Sequence, residues 1–397
     1  MTPVRRDNAL VATCFAMATL AWGIVFYGFS FFLESLLHIG QFSIEQVSSA
    51  IGVSFWSGIP AGIVIGWWLK RGPPVWIVLY GVSAISAGLL LLPSVEHIAT
   101  LFLAFILFGT GYPCLSTAGI SGTLNYYIRD RYASRLSIAL TGASVGGAML
   151  VPIMVWLREM VGFQLALQFV AALLVITLVP PAIALLRRRI EATEPKALVD
   201  KNASTRATLR SPKFLSITFA ATCALTGQVG FLSHQIPMLG MHIGTEQAAL
   251  GVSVTAASAI FGRFLAGWLA DRTDLALLAA LATAIQGFGI VLLSGVGSLS
   301  AIYGACALSG FVVGAIVMLP ALLIRDRFGS AAYSELYGFI NIGLYAGAGF
   351  GPIVIGALRD ADGDYVRGLL LLGVMQFIAV AVFFTVPQNA LPATVMG

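Results

Sequence analysis

Arginine inside an apolar run is the residue here whose type and place point most directly to chemistry. In Phe261-Gly-Arg-Phe-Leu-Ala-Gly-Trp-Leu-Ala-Asp-Arg272, Arg272 sits beside Asp271 where the run ends, while Arg263 sits well inside it. At 1.5 Å per helical residue, Arg263 lies about 12 Å inside the end marked by Asp271. A charge at such depth in a bilayer costs at least roughly 2.5 to 3.5 kcal/mol unless something offsets it. The residues one helical turn away, Ala259, Ile260, Ala266 and Gly267, carry no charge. By topology Glu34, Glu96, Glu159 and Glu246 map to one set of helix ends, and Asp130, Asp326 and Glu335 to the other. A guanidinium presents a planar fork that matches the two oxygens of a carboxylate, so an anionic substrate would supply the counter-charge. The competing reading has Arg263 reach along its helix towards the polar boundary near Asp271.

Weaker candidates for the same site are Trp22, Tyr27, Tyr112, Gln228, Asn341 and Tyr345, which fall near mid-span and would orient a small polar substrate against aromatic walls. Asn341 and Tyr345 share a helical face at i and i+4. His234 is a titratable candidate, but like His38 it maps near a helix end, where a solvated or hydrogen-bonded structural role is the default.

The elements that must hold these residues follow from composition. The chain has 397 residues, 58% hydrophobic and 10% charged, against about a quarter charged in soluble domains. It reads as an integral membrane protein. Apolar runs occur near 10–33, 47–69, 75–93, 99–124, 137–157, 164–186, 214–237, 247–270, 275–294, 299–323, 336–358 and 366–386, each reaching the roughly 20 residues that cross a bilayer. The first run is too long for a signal peptide and lacks a cleavage site. The expected fold is all-α, twelve transmembrane helices in two pseudo-symmetric six-helix bundles, residues 1–186 and 214–397, with a polar linker over 187–213.

The basic residues orient it. Arg5, Arg6, Lys70, Arg71, Arg129, Arg131, Arg135, Arg187 to Arg189, Lys196, Lys201, Arg206, Arg210, Lys213, Arg272, Arg325 and Arg327 fall on one side, and only Arg158, Arg359 and Arg367 on the other. That bias places both termini in the cytoplasm. The net charge of +5 then reflects topology and not a nucleic-acid surface. Cys14, Cys114, Cys223 and Cys306 lie within spans without metal-ligand spacing, and no metal or cofactor is expected. Asn202-Ala-Ser204 fits a glycosylation sequon by chance, inside the cytoplasmic linker.

The halves repeat. Arg129-Asp-Arg-Tyr132 returns as Arg325-Asp-Arg-Phe328, Gly66-Trp67 as Gly267-Trp268, and a small-residue run before Pro152 as another before Pro352, at offsets of 196, 201 and 200 residues. A parallel six-plus-six repeat places a substrate site between halves near mid-membrane, opened to each side in turn by rocking. Gly142, Ser144, Gly146, Gly147 and Ala148, and Gly343, Gly347, Gly349 and Gly351, would let helices approach closely and bend.

These residues resemble the major facilitator superfamily, and more narrowly its monocarboxylate-transporter and oxalate/formate-exchanger-like branch. Its loop signature G-x-x-x-D-R is similar to Gly267-Trp-Leu-Ala-Asp271-Arg272, while the first copy, Gly66-Trp-Trp-Leu-Lys70-Arg71, carries Lys where Asp is expected. The resemblance implies a conformational latch built from Gly267, Asp271 and Arg272, with Arg71 in the altered copy. The branch's R-x-x-x-G is similar to Arg263-Phe-Leu-Ala-Gly267, its H-x-x-P to His234-Gln-Ile-Pro237, and its eleventh and first helices to Gly338-Phe-Ile-Asn341 and Trp22-Gly23 with Gly28-Phe-Ser-Phe-Phe32. It implies that Arg263 engages a substrate carboxylate. Proton-coupled members carry an Asp one turn before this arginine; Ala259 stands there, which raises anion exchange and facilitated diffusion to at least the standing of proton symport. Exchangers of dianions pair the arginine with a lysine of the eleventh helix, absent here, so a monoanion is favoured.

The expectation is therefore a secondary or facilitative transporter of small organic anions, chiefly monocarboxylates, with protons or a counter-anion as coupling partner. It would act as a monomer in a plasma membrane, on grounds of economy the bacterial inner membrane. The alternatives are an exporter of drug-like or lipophilic compounds and an exchanger of organic dianions or phosphate esters. No G-x-S-x-G, H-E-x-x-H or phosphate-binding loop marks an enzyme or a primary pump.

Overall fold

The computed structural model describes residues 3–69, 71–128, 131–186, 207–295 and 297–386. Lys70, Arg129, Asp130 and most of the expected linker, with Asn202, lie outside the described residues, as does the Glu335 side chain. Twelve helices are long and apolar enough to span a membrane: α1 (Arg6–Ile39), α2 (Ile44–Leu69), α3 (Val75–Ser94), α4 (Ile98–Tyr127), α5 (Ser134–Val161), α6 (Phe163–Leu186), α7 (Pro212–Ile243), α8 (Thr245–Ala270), α9 (Leu275–Leu292), α10 (Leu299–Gly329), α11 (Leu336–Asp362) and α12 (Val366–Thr385). They match the twelve apolar runs, and several are longer, because flanking residues such as Pro212 and Lys213 before Phe214, and 238–243 after Pro237, stay helical. Connections of odd number, beginning with 40–43, lie at one set of ends, and those of even number at the other; these are termed the odd-loop and even-loop sides.

The described residues group into two compact units, one formed by 3–186 with 232–253 and the other by 207–231 with 254–386. In the first, Phe29, Phe31, Phe32, Phe105 and Phe108 are fully buried, and Phe32 stacks on Phe108 with centroids 5.2 Å apart. In the second, the core is small and aliphatic, with Ala220, Ala221, Ala280, Leu319, Leu323 and Ile340. Large apolar side chains such as Ile63, Trp156, Ile176, Phe261 and Phe384 face outward, which suits lipid and not water.

The repeat is visible in how helices cross. In the first unit a Cβ on Gly142 would stand 2.4 Å from the Phe15 carbonyl oxygen, and one on Gly146 2.0 Å from that of Thr19 and 2.9 Å from the Gly23 nitrogen. In the second, a Cβ on Gly347 would stand 2.7 Å from the Thr222 carbonyl oxygen, and one on Gly351 2.3 Å from that of Thr226 and 2.7 Å from the Gly230 nitrogen. Thus α5 meets α1, and α11 meets α7, backbone against backbone in the same pattern, at offsets of 205 and 207 residues and not at the 200 that aligns Pro152 with Pro352. Without a hydrophobic force between helices in lipid, such close van der Waals packing of small residues is what holds them. The expected close approach of both glycine runs is observed.

Two local breaks matter for the site. In α1, residues Trp22–Phe26 form a π-helical turn, a feature that often accompanies function because it re-aims side chains. Near residue 312, α10 bends: Val312 has φ −103° and ψ −2° between the segments ending at Phe311 and starting at Val313.

Candidate functional site

Arg263 lies on α8 opposite a lipid-facing stripe of Phe261, Phe264, Leu265 and Trp268, all exposed. Its own face carries buried Ala259 and Ala266, and Arg263 itself is half-buried. Its side chain runs along α10. A Cβ on Gly314 would be 2.7 Å from Arg263 Nε, 3.2 Å from its Cβ and 3.3 Å from Nη2. The crossing is close because a Cβ on Gly262 would fall 1.4 Å from the Phe311 carbonyl oxygen, and one on Gly310 would fall 2.3 Å from that of Thr255. Side-chain-free positions thus bring the two backbones together beside the guanidinium.

The other candidates of the second unit are placed differently. Gln228 is fully buried in an amide cluster absent from the sequence reading: Gln286 Nε2 donates to Gln228 Oε1 at 3.3 Å and to the Ser309 carbonyl at 3.3 Å, while Gln376 Nε2 donates to Gln286 Oε1 at 2.8 Å and to the Ala224 carbonyl at 3.1 Å. The cluster ties α7, α9, α10 and α12. Asn341 Nδ2 donates to the Tyr337 carbonyl at 2.7 Å, and Tyr345 is half-buried one turn further along.

In the first unit Trp22, Tyr27 and Tyr112 come together, with Phe26 and Phe55 added. The Trp22 and Tyr112 rings meet edge to face at 5.5 Å, Phe26 lies nearly parallel to Tyr112 at 6.5 Å, and Phe26 contacts Tyr27 at 5.4 Å and Phe55 at 6.3 Å. Trp22 and Phe26, four residues apart on the π-helical turn, share one side of α1. His234 is buried, not solvated, and its Nε2 is 3.2 Å from Ser48 Oγ of α2.

That bond and two others tie odd-loop segments of α7 and α8 to the first six helices. Thr245 Oγ1 donates to Glu34 Oε1 at 3.0 Å, an oxygen also 3.0 Å from His38 Nε2. Ser253 Oγ donates to the Ala148 carbonyl at 2.8 Å. Pro152 has no N–H to offer that carbonyl, which its own helix would otherwise have bonded.

At the even-loop ends, Arg272 lies over the Trp268 ring at 4.3 Å and donates to the Trp268 carbonyl at 2.8 Å; Arg71 lies over Trp67 at 4.3 Å and donates to the Trp67 carbonyl at 3.3 Å. Asp271 is exposed, and a Cβ on Gly267 would meet nothing within 4 Å. Arg327, from the repeated Arg-Asp-Arg, is buried and donates to Asp274 at 2.5 Å and to Asp326 at 2.9 Å. Asp274 also caps α9 by accepting from Ala276 N and Leu277 N. Burial alone would raise its pKa, but the Arg327 hydrogen bond and charge together with the two backbone N–H groups outweigh it and hold the carboxyl below its ordinary value. The sequence carried a signal for this pair that was missed: an Asp directly before an apolar run is a helix-capping pattern.

Twelve apolar helices in two repeated sets, with a cation and several amides turned inward, define a polytopic membrane transporter. The Major Facilitator Superfamily model matches residues 11–352, and the chain belongs to that family of transporters. It is 26% identical over 387 residues to monocarboxylate transporter 13 of Rattus norvegicus, covering 96% of this chain and 88% of the relative. It is 27% identical over 335 residues to monocarboxylate transporter 11 of Homo sapiens (80% and 69% covered), and 25% identical over 362 residues to the MFS-type transporter dbaD of Emericella nidulans (85% and 77% covered). Among solved structures it is similar to a bacterial homolog of the human lysosomal transporter Spinster in an inward-facing, unoccupied conformation, with a TM-score of 0.77, 16% identity and 97% of each chain covered. The last likeness bears on fold alone.

Proposed function

We propose that the chain transports small organic monocarboxylates, with Arg263 binding the carboxylate, by alternating access of two halves, residues 1–186 and 214–397, joined by a linker over 187–213. The observation that carries this is a guanidinium seven residues inside the α8 end at Ala270, on the face turned away from lipid. At about 10 Å from the helix end, a cation kept in the protein interior marks a path for anions. The names of the rat and human relatives point to the same substrate class. The aromatic group of Trp22, Phe26 and Tyr112 would offer an apolar surface to the rest of the substrate, and Asn341, Tyr345, Gln228 and His234 remain candidate polar partners or supports of them. Both termini would lie in the cytoplasm of a plasma membrane, with the odd-loop side outside. The protein would work as a monomer.

Ala259, buried one turn before Arg263, brings no carboxylate alongside the guanidinium from α8. Anion exchange or facilitated diffusion is therefore favoured over proton symport. The even-loop latch would comprise Asp271, Arg272, Gly267 and Arg71, with Arg327–Asp274 beside it.

Uptake of labelled acetate, pyruvate, lactate and benzoate into proteoliposomes tests the reading, for the native chain and Arg263→Gln, with and without a pH gradient or a preloaded carboxylate. The expected result is uptake of at least one probe by the native chain, stimulated by preload, and loss of it in Arg263→Gln with folding intact. Equal uptake by both refutes a carboxylate role for Arg263 and moves a lipophilic substrate forward.

A further inference from the structure

We propose that Gly314 of α10 is the positioning residue for Arg263: the absent side chain at 314 is the seat in which the guanidinium stem lies, and any larger residue there moves the cation off the substrate. The proposal rests on the carboxylate-binding reading of Arg263 and names what sets the geometry of that site.

Gly310 and Gly314 lie four residues apart on α10, on either side of the bend at Val312, and both face α8, at Thr255 and Arg263. Gly310 lies against the Thr255 carbonyl, and Gly262 of α8 lies against the Phe311 carbonyl. Both contacts are made to backbone, which cannot rotate away, and they fix how far apart α8 and α10 stand. Four residues beyond Gly310, at this fixed separation, the space above Gly314 is filled by Arg263, with Nε, Cβ and Nη2 all within 3.3 Å of the position a Cβ would take. Real Cβ atoms do not approach a heavy atom to 2.7 Å, so an alanine at 314 forces a response. The helices are held by the neighbouring glycine contacts, and Arg263 is a side chain with rotatable bonds. The response falls on the arginine.

Its position between two helical segments adds a second constraint. Gly314 is the second residue of the α10 segment that begins at Val313, just past the bend at Val312. The seat therefore belongs to the even-loop segment of α10, and the direction of the guanidinium follows that segment. The equivalent of Arg263 in the first half, 201 residues earlier, is Gly62, around which a Cβ would meet nothing within 4 Å. The seat is a feature of the second half and of its arginine, not a general consequence of the repeat.

The test is a double-variant comparison with transport and melting read together. Gly314→Ala is expected to raise KM for the transported probe, pyruvate or benzoate, at least about tenfold, as displacement of a positioned group by about 1 Å does, with a smaller change in maximal rate. It is also expected to lower the melting midpoint in detergent. In Arg263→Ala, where only the Cβ 3.2 Å from position 314 remains, adding Gly314→Ala should lower the midpoint by less than it does in the native chain. Gly310→Ala is the control: it meets the Thr255 backbone, so its effect on melting should be the same with or without Arg263. Should Gly314→Ala alone fail to fold, recovery of folded protein in Arg263→Ala/Gly314→Ala supports the seat. An equal loss of stability in both backgrounds overturns the proposal, as does a native KM in Gly314→Ala while Arg263→Gln is inactive; that second result leaves the carboxylate role of Arg263 standing. Undiminished transport by Arg263→Gln overturns both.

Discussion

Removing the Ser253 hydroxyl should open the odd-loop side, and the structure sets the size of the effect. Pro152 leaves the Ala148 carbonyl without its helical partner, and Ser253 Oγ donates to it at 2.8 Å; the hydroxyl's other acceptor, the Ala249 carbonyl of its own helix, is further at 3.4 Å. In the alternating-access scheme this bond between α5 and α8 exists only while the odd-loop ends are together. Interhelical hydrogen bonds in membranes contribute about 0.6 kcal/mol on average and about 1.7 at most, so Ser253→Ala should raise the ratio of open to closed molecules by about threefold, and by no more than about twentyfold. Pro152→Ala restores an N–H at 152, which returns the Ala148 carbonyl to its own helix. In that background Ser253→Ala should change the ratio little. Spin labels on cysteines placed at the exposed Gln41 and His242 would read the two populations by pulsed electron resonance. The four native cysteines are buried and free, so labelling is selective. An unchanged ratio in Ser253→Ala, or an equal shift with and without Pro152, would refute the reasoning.

Two further outcomes follow from contacts already described. Gly146→Ala and Gly351→Ala each drive a Cβ to within 2.3 Å of a backbone carbonyl; overpacking of that kind costs about 1 to 3 kcal/mol or more, and both variants should show lower melting midpoints or yields, a result a native midpoint in either would contradict. Asp274→Asn removes one of the two carboxylates that face the Arg327 guanidinium, Asp326 remaining, and should destabilise by about 1.5 kcal/mol, as loss of a charge-assisted hydrogen bond does, seen as a lower midpoint at pH 7. Because the folded pKa of Asp274 lies below its ordinary value, its contribution is complete above the unfolded value of about 3.9 and is lost as pH falls through the folded one. The gap between native chain and variant should thus be constant from pH 7 to 5 and narrow only in stronger acid; a gap that closes near pH 6 would assign the effect to another group.

The spans, their number and the repeat are legible in one dimension because hydropathy, charge and spacing are themselves one-dimensional. Arg263 was conspicuous for the same reason: no other basic residue interrupts an apolar run so deeply. What escaped depends on which helices meet. Gln286 and Gln376 sit singly in apolar runs and look incidental, and only the crossing of α7, α9, α10 and α12 turns them with Gln228 into one amide cluster. Phe26 is one of many phenylalanines in apolar runs, and only the packing of α1 against α4 puts it beside Tyr112. Family spacing drew attention to Asp271 and Arg272, whereas the buried ion pair forms three residues on, between Asp274 and an arginine 53 positions away. Gly314 carries no signal at all, since a glycine in a membrane helix is common and its meaning lies in the side chain opposite.

The two halves agree where they build the scaffold and differ where chemistry is needed. Gly146 against Thr19 and Gly351 against Thr226 are the same crossing made twice. At an offset of 201 residues, by contrast, Arg263 corresponds to Gly62, Ser253 to Gly52, Asp271 to Lys70 and Asp274 to Pro73. Three of these differences place a polar or charged group in the second half where the first has none, and the fourth exchanges a cation for an acid. A helix crossing can be duplicated at no cost to function, because both copies do the same mechanical task. A substrate-binding cation is different: on the proposed reading a monocarboxylate neutralises one guanidinium, and a second in the same site would stay uncompensated in low dielectric. On the proposed reading, a glycine at the position that matches Arg263 fits a substrate with a single carboxylate.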